Sequence, residues 1–148
     1  MSQIRILAVV ALTVLALAAP PGAAHATARD SMLAQINAVR SYVGLHPYRL
    51  SPTLNRSSYG FAHYLMRRDR FAHARRIRAS GFRMLGEVLE KHSGHGPRVR
   101  GTLLAWLRSP GHRAVLLSRR YYWIGLGRVA GRFQGRRTTI WVGQVGRR

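Results

Sequence analysis

Three polar side chains, His73, Glu87 and His112, each stand in a short stretch of apolar or small residues. Two neutral imidazoles and one carboxylate are ligand types that zinc accepts, with an open fourth position for water. A histidine–carboxylate pair can also transfer protons. No motif marks a nucleophile beside them, so these residues indicate binding more directly than covalent catalysis.

Each of the three residues also has a purely structural interpretation. His73 could be a half-buried, hydrogen-bonded histidine, His112 could lie in the first turn of a short helix, and Glu87 could neutralise an arginine. They come from separate segments, so only folding could bring them together. His92 and His95 form a weaker metal candidate at i,i+3 spacing, for which exposure to solvent is the favoured interpretation.

Length and composition limit the kind of protein that these residues can belong to. The chain has 148 residues, of which 47% are hydrophobic, so we expect one compact domain with a packed core. It contains no cysteine, which excludes disulfides, thiolate zinc sites and a cysteine nucleophile. Its four carboxylates leave few candidate pairs for two-acid enzyme mechanisms.

The charge is strongly positive, with 25 Lys+Arg against 4 Asp+Glu and a net charge of +21. Lys91 is the only lysine, and arginine forks bind phosphates and carboxylates in bidentate fashion. The excess therefore fits binding to a polyanion, but a compositional bias that leaves a solvated shell fits equally well. The run Arg75-Arg76-x-Arg78 has the same two interpretations.

The first 26 residues have the pattern of a signal peptide. Arg5 precedes the apolar run Ile6–Ala19, which is too short to span a bilayer comfortably. The Pro20–Gly22 segment is expected to break any helix, and Ala24–Ala26 supplies the small-x-small pattern of a cleavage site. We expect cleavage after Ala26, the alternative being a retained anchor. The mature chain, residues 27–148, has no further apolar span, and a monomer is favoured.

Hydrophobic periodicity and capping residues predict four helices in the mature chain. The first is capped by Asp30 or Ser31 and stops at Gly44, and the second is capped by Ser51. The predicted ranges are Asp30–Val43, Pro52 to about Arg68, Arg98–Arg108, and Pro110 to about Leu117.

Strands are predicted at Leu85–Leu89, Tyr121–Val129 and Thr138–Val145, the last two forming a hairpin. The aromatic cluster from Tyr121 to Trp123 is assigned to the core and sheet face, the alternative being a stacking platform for sugars or bases. Residues 69–80 lack a period and are interpreted as a loop anchored by Phe71, and 92–97 as a turn-forming linker. The order of elements predicts an α+β fold with helices packed on a small antiparallel sheet.

Several of these segments together resemble the CAP superfamily (cysteine-rich secretory proteins, antigen 5 and pathogenesis-related proteins), in particular its short bacterial secreted members. The resemblance covers the chain from about Ser31 to the C-terminus, and the Ser-Pro-Gly-His-Arg block after a tryptophan-bearing helix is its most specific part. The matching segments are Ile36–Arg40, Leu50–Leu54, Phe71–His73, Gly86-Glu87, Trp106–Arg113, Leu116-Leu117 and Ile124–Gly127.

The resemblance implies a three-layer α-β-α sandwich whose small antiparallel sheet lies between helices. It also implies a cleft lined by two histidines and two acidic residues that can bind a divalent cation such as zinc. By motif match, His73 and His112 take the histidine places and Glu87 the first acidic place, with Trp106 and Phe71 as nearby apolar wall.

Two positions depart from the family pattern. No carboxylate lies between Lys91 and Arg148, so the second acidic place is not filled. Val88 follows Gly86-Glu87 where the family usually has asparagine. The first departure weakens the expectation of a metal, and the second affects the strand edge next to Glu87.

From the resemblance and the charge together, we expect a secreted or envelope-located CAP-like domain that acts as a binding module and not as an efficient enzyme. Its cleft would hold a divalent metal or a small ligand. The alternative is a cationic protein whose surface binds anionic envelope polymers or nucleic acid. Hydrolysis ranks last, because the sequence places no nucleophile.

Overall fold

The computed structural model describes residues 21–148, with side chains from residue 27 onward. The predicted signal peptide and its cleavage point fall outside the part described with side chains. Four helices occupy this range: α1 (Pro21–Tyr42), α2 (Pro52–Arg67), α3 (Val99–Arg108) and α4 (Pro110–Leu116). Its strands are β1 (Arg49–Leu50), β2 (Met84–Ser93), β3 (Trp123–Phe133) and β4 (Arg136–Arg147).

Helix α1 begins earlier than the sequence pattern predicts. The expected cap at Asp30 or Ser31 is wrong, because the helix starts at Pro21 and continues through both residues. Of the expected helix break, Pro21 and Gly22 lie in the first turn of α1, and Pro20 lies outside the described residues. Proline is tolerated in the first turn of a helix, and the alanines that follow have high helix propensity. The predicted stop is confirmed: Gly44 has φ +71°, and the amide of Leu45 donates to the carbonyl of Arg40 at 2.8 Å.

Helix α2 follows its prediction closely. The Ser51 hydroxyl accepts a hydrogen bond from the amide of Leu54 at 3.3 Å, and Pro52 occupies the first turn. The helix then runs to Arg67, one residue short of the predicted end. The inner face comprises five buried residues: Leu54, Ser58, Ala62, Leu65 and Met66.

The sheet has the strand order β1-β3-β4-β2. The hairpin of β3 and β4 and the β4–β2 pair are antiparallel, as predicted, whereas the two-residue β1 pairs with β3 in parallel and was not predicted. Strand β2 is twice the length expected, because it pairs with the inner strand β4 along its whole length. His92 therefore belongs to a strand and not to the predicted linker.

Helices cover both faces of the sheet, which confirms the predicted α+β sandwich. One core packs α1, α3 and α4 against the sheet, around Met32, Trp106, Leu116 and Trp141. The other packs α2 against the opposite face, with a set that includes Leu65, Val129, Ile140 and Val142. Burial of these side chains is the main favourable term that holds the layers together.

Helix α2 lies directly against the backbone of β3. A Cβ at Gly125 would overlap the backbone of Leu54, so only glycine permits this approach. The Ser58 hydroxyl donates to the carbonyl of Gly125 at 3.0 Å, and the Asn55 side chain accepts from the amide of Leu126 at 2.9 Å. These contacts fix α2, and with it one wall of the cleft described below.

In residues 21–148, none of the helices combines the length and the hydropathy that crossing a bilayer requires.

Candidate functional site

The three chemistry-bearing residues picked out in the sequence meet at the β2 side of the sheet. His73 comes from the loop between α2 and β2, Glu87 from β2 itself, and His112 from the first turn of α4. The Nδ1 atom of His73 lies 3.0 Å from Oε1 of Glu87, and the rings of His73 and His112 are 5.5 Å apart between centroids. The fold thus assembles one polar cluster from three segments that are well separated along the chain.

Glu87 is the buried anchor of this cluster, with 5% of its side chain exposed. Its Oε1 atom accepts from the amide of Ala74 at 2.9 Å as well as from Nδ1 of His73, and its Oε2 atom accepts from Nε2 of Gln144 at 2.9 Å. Within the described residues no arginine forms an ion pair with Glu87, so neutralising an arginine is not its role. It fixes the loop and the imidazole instead.

The contact with Glu87 also determines how the ring of His73 is used. An ionised carboxylate only accepts hydrogen bonds, so the proton of a neutral imidazole lies on Nδ1 and the free lone pair lies on Nε2. A carboxylate that orients a histidine in this way is the usual second partner of a metal-binding imidazole. The His73 side chain is 56% exposed and therefore accessible to a ligand.

His112 completes the pair of imidazoles. Burial lowers the pKa of its ring and the neighbouring His73 lowers it further, whereas Glu87 acts in the opposite direction. The ring is therefore neutral at neutral pH and able to offer a lone pair. Its place in the first turn of α4 agrees with the structural interpretation above, but the contact with His73 shows that it also belongs to the cluster.

Gln144 is the site residue that sequence reasoning missed. It lies directly opposite Glu87 in the β4–β2 register, and only 1% of its surface is exposed. Its Nε2 atom binds Glu87, while its Oε1 atom is buried without a hydrogen-bond partner. The available signal was a lone amide in the apolar strand segment Thr139–Val145. Among the described residues no second carboxylate joins Glu87, and Glu90 lines a different cavity with His92.

The two aromatic residues expected as cleft wall occupy different positions. Trp106 has no exposed surface and belongs to the core that α3 forms with the sheet, so it lies behind the site and offers no face to a ligand. Phe71 is partly buried against the α2-side core, with the Lys91 ammonium 5.6 Å from its ring centre. It anchors the loop that carries His73. Val88, which stands where the family usually has asparagine, is fully buried on the α3 side of the sheet.

The other candidates of the sequence do not join this cluster. The Nδ1 atom of His92 contacts the carbonyl of Ser93, and the Nε2 atom of His95 contacts the carbonyl of Gly131. Across residues 27–148, no group of three or more His, Cys, Asp or Glu side chains has an arrangement that could hold a metal ion. A cation beside His73 and His112 would therefore have two imidazole ligands, with Glu87 behind one of them.

Next to His73 the surface opens into a cleft of about 1250 Å³ between α2 and the loop of residues 69–83. We call this the arginine cleft. Gln144 and His73 form part of its lining, and Phe61 and Tyr64 contribute aromatic rings from α2. The basic residues lining it are Arg56, Arg70, Arg75, Arg76 and Arg78.

Comparisons with known proteins agree with this architecture. The family model of the cysteine-rich secretory protein family (CAP) matches residues 33–145. An outer surface protein of Borrelia burgdorferi has a TM-score of 0.71 at 19% identity, covering 82% of this chain and 93% of that chain. No curated protein sequence matches the chain.

Two further solved structures have the same fold over most of this chain. An extracellular protein of Bacillus anthracis that contains an SCP domain has a TM-score of 0.69 at 17% identity, covering 88% of this chain and 45% of that chain. A cysteine-rich secretory protein of Staphylococcus aureus has a TM-score of 0.57 at 13% identity, with 84% and 39% covered. This chain therefore spans less than half the length of both proteins, and similarity at these identities shows a shared fold.

Proposed function

The chain belongs to the cysteine-rich secretory protein (CAP) family, and we propose that it is an extracellular binding module whose ligand contacts His73 and His112. The observation that carries this proposal is the contact between two imidazoles, one of which is held by a buried carboxylate at the edge of an open cleft. An extracellular location is supported by the signal-peptide pattern of residues 1–26. Two proteins of the same fold are also described as outer surface and extracellular proteins.

A divalent cation such as zinc is one ligand that this cluster could hold. His73 offers Nε2 because Nδ1 is engaged by Glu87, and His112 is kept neutral by its surroundings. With two protein ligands, the remaining coordination positions would be open to water or to a second ligand. Zinc bound in this way would supply an electrophilic centre that attracts oxygen donors to the edge of the cleft.

Binding is proposed here in preference to hydrolysis for a structural reason. Within the described residues, no serine or threonine hydroxyl is hydrogen-bonded to His73 or His112, so neither ring has a side-chain nucleophile to activate. A hydrolytic activity that is abolished by His112→Ala, but unaffected by substitution of the distant Arg136, would contradict this interpretation.

Isothermal titration of the intact protein with zinc at neutral pH tests the cluster directly. We expect binding with a Kd in about the micromolar range, lost in His73→Ala and in His112→Ala. His95→Ala is the matched control, since it removes an exposed histidine outside the cluster and should bind zinc as the native protein does. No detectable binding, or equal binding in His73→Ala, would rule out the metal form of the proposal.

A further inference from the structure

We propose that the ligand of the arginine cleft is a segment of an anionic glycan chain, whose acidic groups are held by the five guanidinium groups that line it. This inference rests on the proposed function for the position of the ligand beside His73. It adds the chemical class of the ligand, which neither the family assignment nor the histidine cluster determines. The charge of the cleft, its volume and the aromatic residues that line it support this inference.

The charge of the cleft is unbalanced. None of its five arginines forms an ion pair or donates a side-chain hydrogen bond within the described residues, and none of the residues lining the cleft is acidic. The nearest carboxylate along the chain, Asp69, accepts from the amide of Gln134 at 2.7 Å. Glu87 lies behind the lining, 5% exposed, and its oxygens already accept from His73, Ala74 and Gln144. Five cations that face one volume with no exposed carboxylate among them favour an anionic occupant, since guanidinium forks bind carboxylate or phosphate in bidentate fashion.

The size of the cleft favours a chain over a single small anion. Its volume of about 1250 Å³ exceeds the roughly 300–1,000 Å³ of typical small-molecule pockets. The arginines also come from separated elements, because Arg56 is on α2 whereas Arg75, Arg76 and Arg78 are on the loop opposite. One carboxylate or phosphate could not neutralise groups on both walls, whereas a chain with repeated acidic groups could.

The aromatic rings of the cleft favour a glycan over a single-stranded nucleic acid. Proteins that bind single strands present free aromatic faces on which bases stack. In this cleft Phe61 and Tyr64 stack on each other, with centroids 5.9 Å apart and planes 13° from parallel. The Arg68 guanidinium also lies 5.9 Å from the Tyr64 ring centre. Phe61 is also partly buried against the core, so Tyr64, 42% exposed, is the main aromatic surface among the lining residues. One ring cannot stack a series of bases, whereas five guanidinium groups can contact repeated acidic groups.

The test uses the intact protein and a purified oligogalacturonate, with an oligothymidylate of matched charge as the second probe. The cleft variant carries Arg75→Gln, Arg76→Gln and Arg78→Gln. The surface control carries Arg119→Gln, Arg120→Gln and Arg136→Gln, which removes three exposed arginines outside the cleft. Both variants lose the same charge, so a difference between them reports position and not net charge.

We expect the cleft variant to bind the oligogalacturonate at least about tenfold more weakly, and the surface control to stay within about twofold of the native protein. The slope of log K against log salt should become shallower by about 2 in the cleft variant, as expected for three lost contacts. Equal losses in the two variants would overturn the proposal, because the arginines would then act as a uniform shell. Tighter, cleft-dependent binding of the oligothymidylate would overturn the choice of a glycan.

The variant His73→Ala/His112→Ala separates this inference from the function on which it rests. If the double variant binds the oligogalacturonate as the native protein does while the cleft variant does not, the arginine site stands and the histidine cluster does not contact this ligand. If only the double variant loses binding, the cluster is the site and the arginine proposal is wrong. Loss in both variants supports the two proposals together.

Discussion

Arginine occurs in two contrasting environments in this molecule. Arg40 has no exposed surface, and its guanidinium donates to the carbonyls of His46, Leu116 and Ser118 at 2.9, 2.6 and 3.1 Å, respectively. It also lies 3.7 Å from the centre of the Tyr48 ring. The cleft arginines, by contrast, are exposed and make no side-chain hydrogen bond within the described residues.

The difference separates arginine that stabilises the fold from arginine that is available to a ligand. Arg40 ties α1 to the end of α4 and to the segment before β1. Three carbonyls and an aromatic face offset most of its cost of burial, while its Nη2 atom is buried without a hydrogen-bond partner. Burial lowers its pKa and raises the pKa of Tyr48 to about 12, so Tyr48 remains neutral. The guanidinium groups of the cleft make no such contacts within the described residues. The amino-acid composition does not distinguish these two kinds of arginine.

Substitution of the buried arginine should have the largest effect on stability. Arg40→Met leaves three carbonyl groups without their donor, and we expect the free energy of unfolding to fall by about 3 kcal/mol or more. Arg76→Met makes the same chemical change in the cleft and should alter it by only about 0.5 kcal/mol. Urea denaturation of both variants makes the comparison, and similar losses would show that the two environments do not differ as described.

A smaller effect on stability is expected from pH, through His112. Because burial and His73 lower the pKa of His112 in the folded state, the unfolded chain binds more protons as the pH falls through the ordinary histidine range. Stability is therefore lost on acidification below about pH 6.5. As the pH is lowered, the denaturation midpoint of His112→Gln should fall less steeply than that of the native protein. Burial raises the pKa of Glu90, so Glu90 contributes stability as the pH falls, opposite to His112. Because Glu90 is present in both proteins, its contribution cancels in the comparison. Parallel profiles would contradict the assigned environment of His112.

The smallest effect on stability is expected in the cleft itself. Removing three mutually repelling, unpaired charges with Arg75→Gln, Arg76→Gln and Arg78→Gln should leave the free energy of unfolding within about 0.5 kcal/mol of the native value or raise it slightly. Thermal or urea denaturation at low salt checks this, since screening is weakest there. A clear loss of stability would mean that these side chains hold the loop, and a binding defect could then be indirect.

Much of this molecule could be predicted from local signals. The serine and proline at Ser51-Pro52 and the glycine at Gly44 mark helix ends through local backbone chemistry, and both predictions are confirmed. The predicted start of α1 was wrong because proline can either end a helix or occupy its first turn, and the sequence alone does not show which role Pro21 has. The two-residue β1 carries too short a pattern to be detected, since its pairing with β3 is set by tertiary contacts.

In the candidate site, too, local motifs could be recognised in the sequence, whereas features set by tertiary contacts could not. The motifs correctly indicated that His73, Glu87 and His112 belong together, because their neighbours matched a family pattern. Gln144 was missed because its role arises from the cross-strand register with Glu87, which a single sequence does not give. Trp106 was placed on the cleft wall because a motif gives neighbourhood along the chain but not which way a side chain faces. Likewise, composition gave the number of arginines but not their grouping around one cleft.

The most direct measurement for the cleft is a titration of the 15N-labelled intact protein with the oligogalacturonate, followed by amide chemical shifts. The proposal predicts that the largest changes occur in residues 70–80, on α2 from Arg56 to Tyr64, and at Gln144, with saturation at a defined ratio of ligand to protein. Small changes spread over the exposed arginines at Arg119, Arg120 and Arg136, without saturation, would contradict it. In that case the arginine cleft would not be a binding site for this class of ligand.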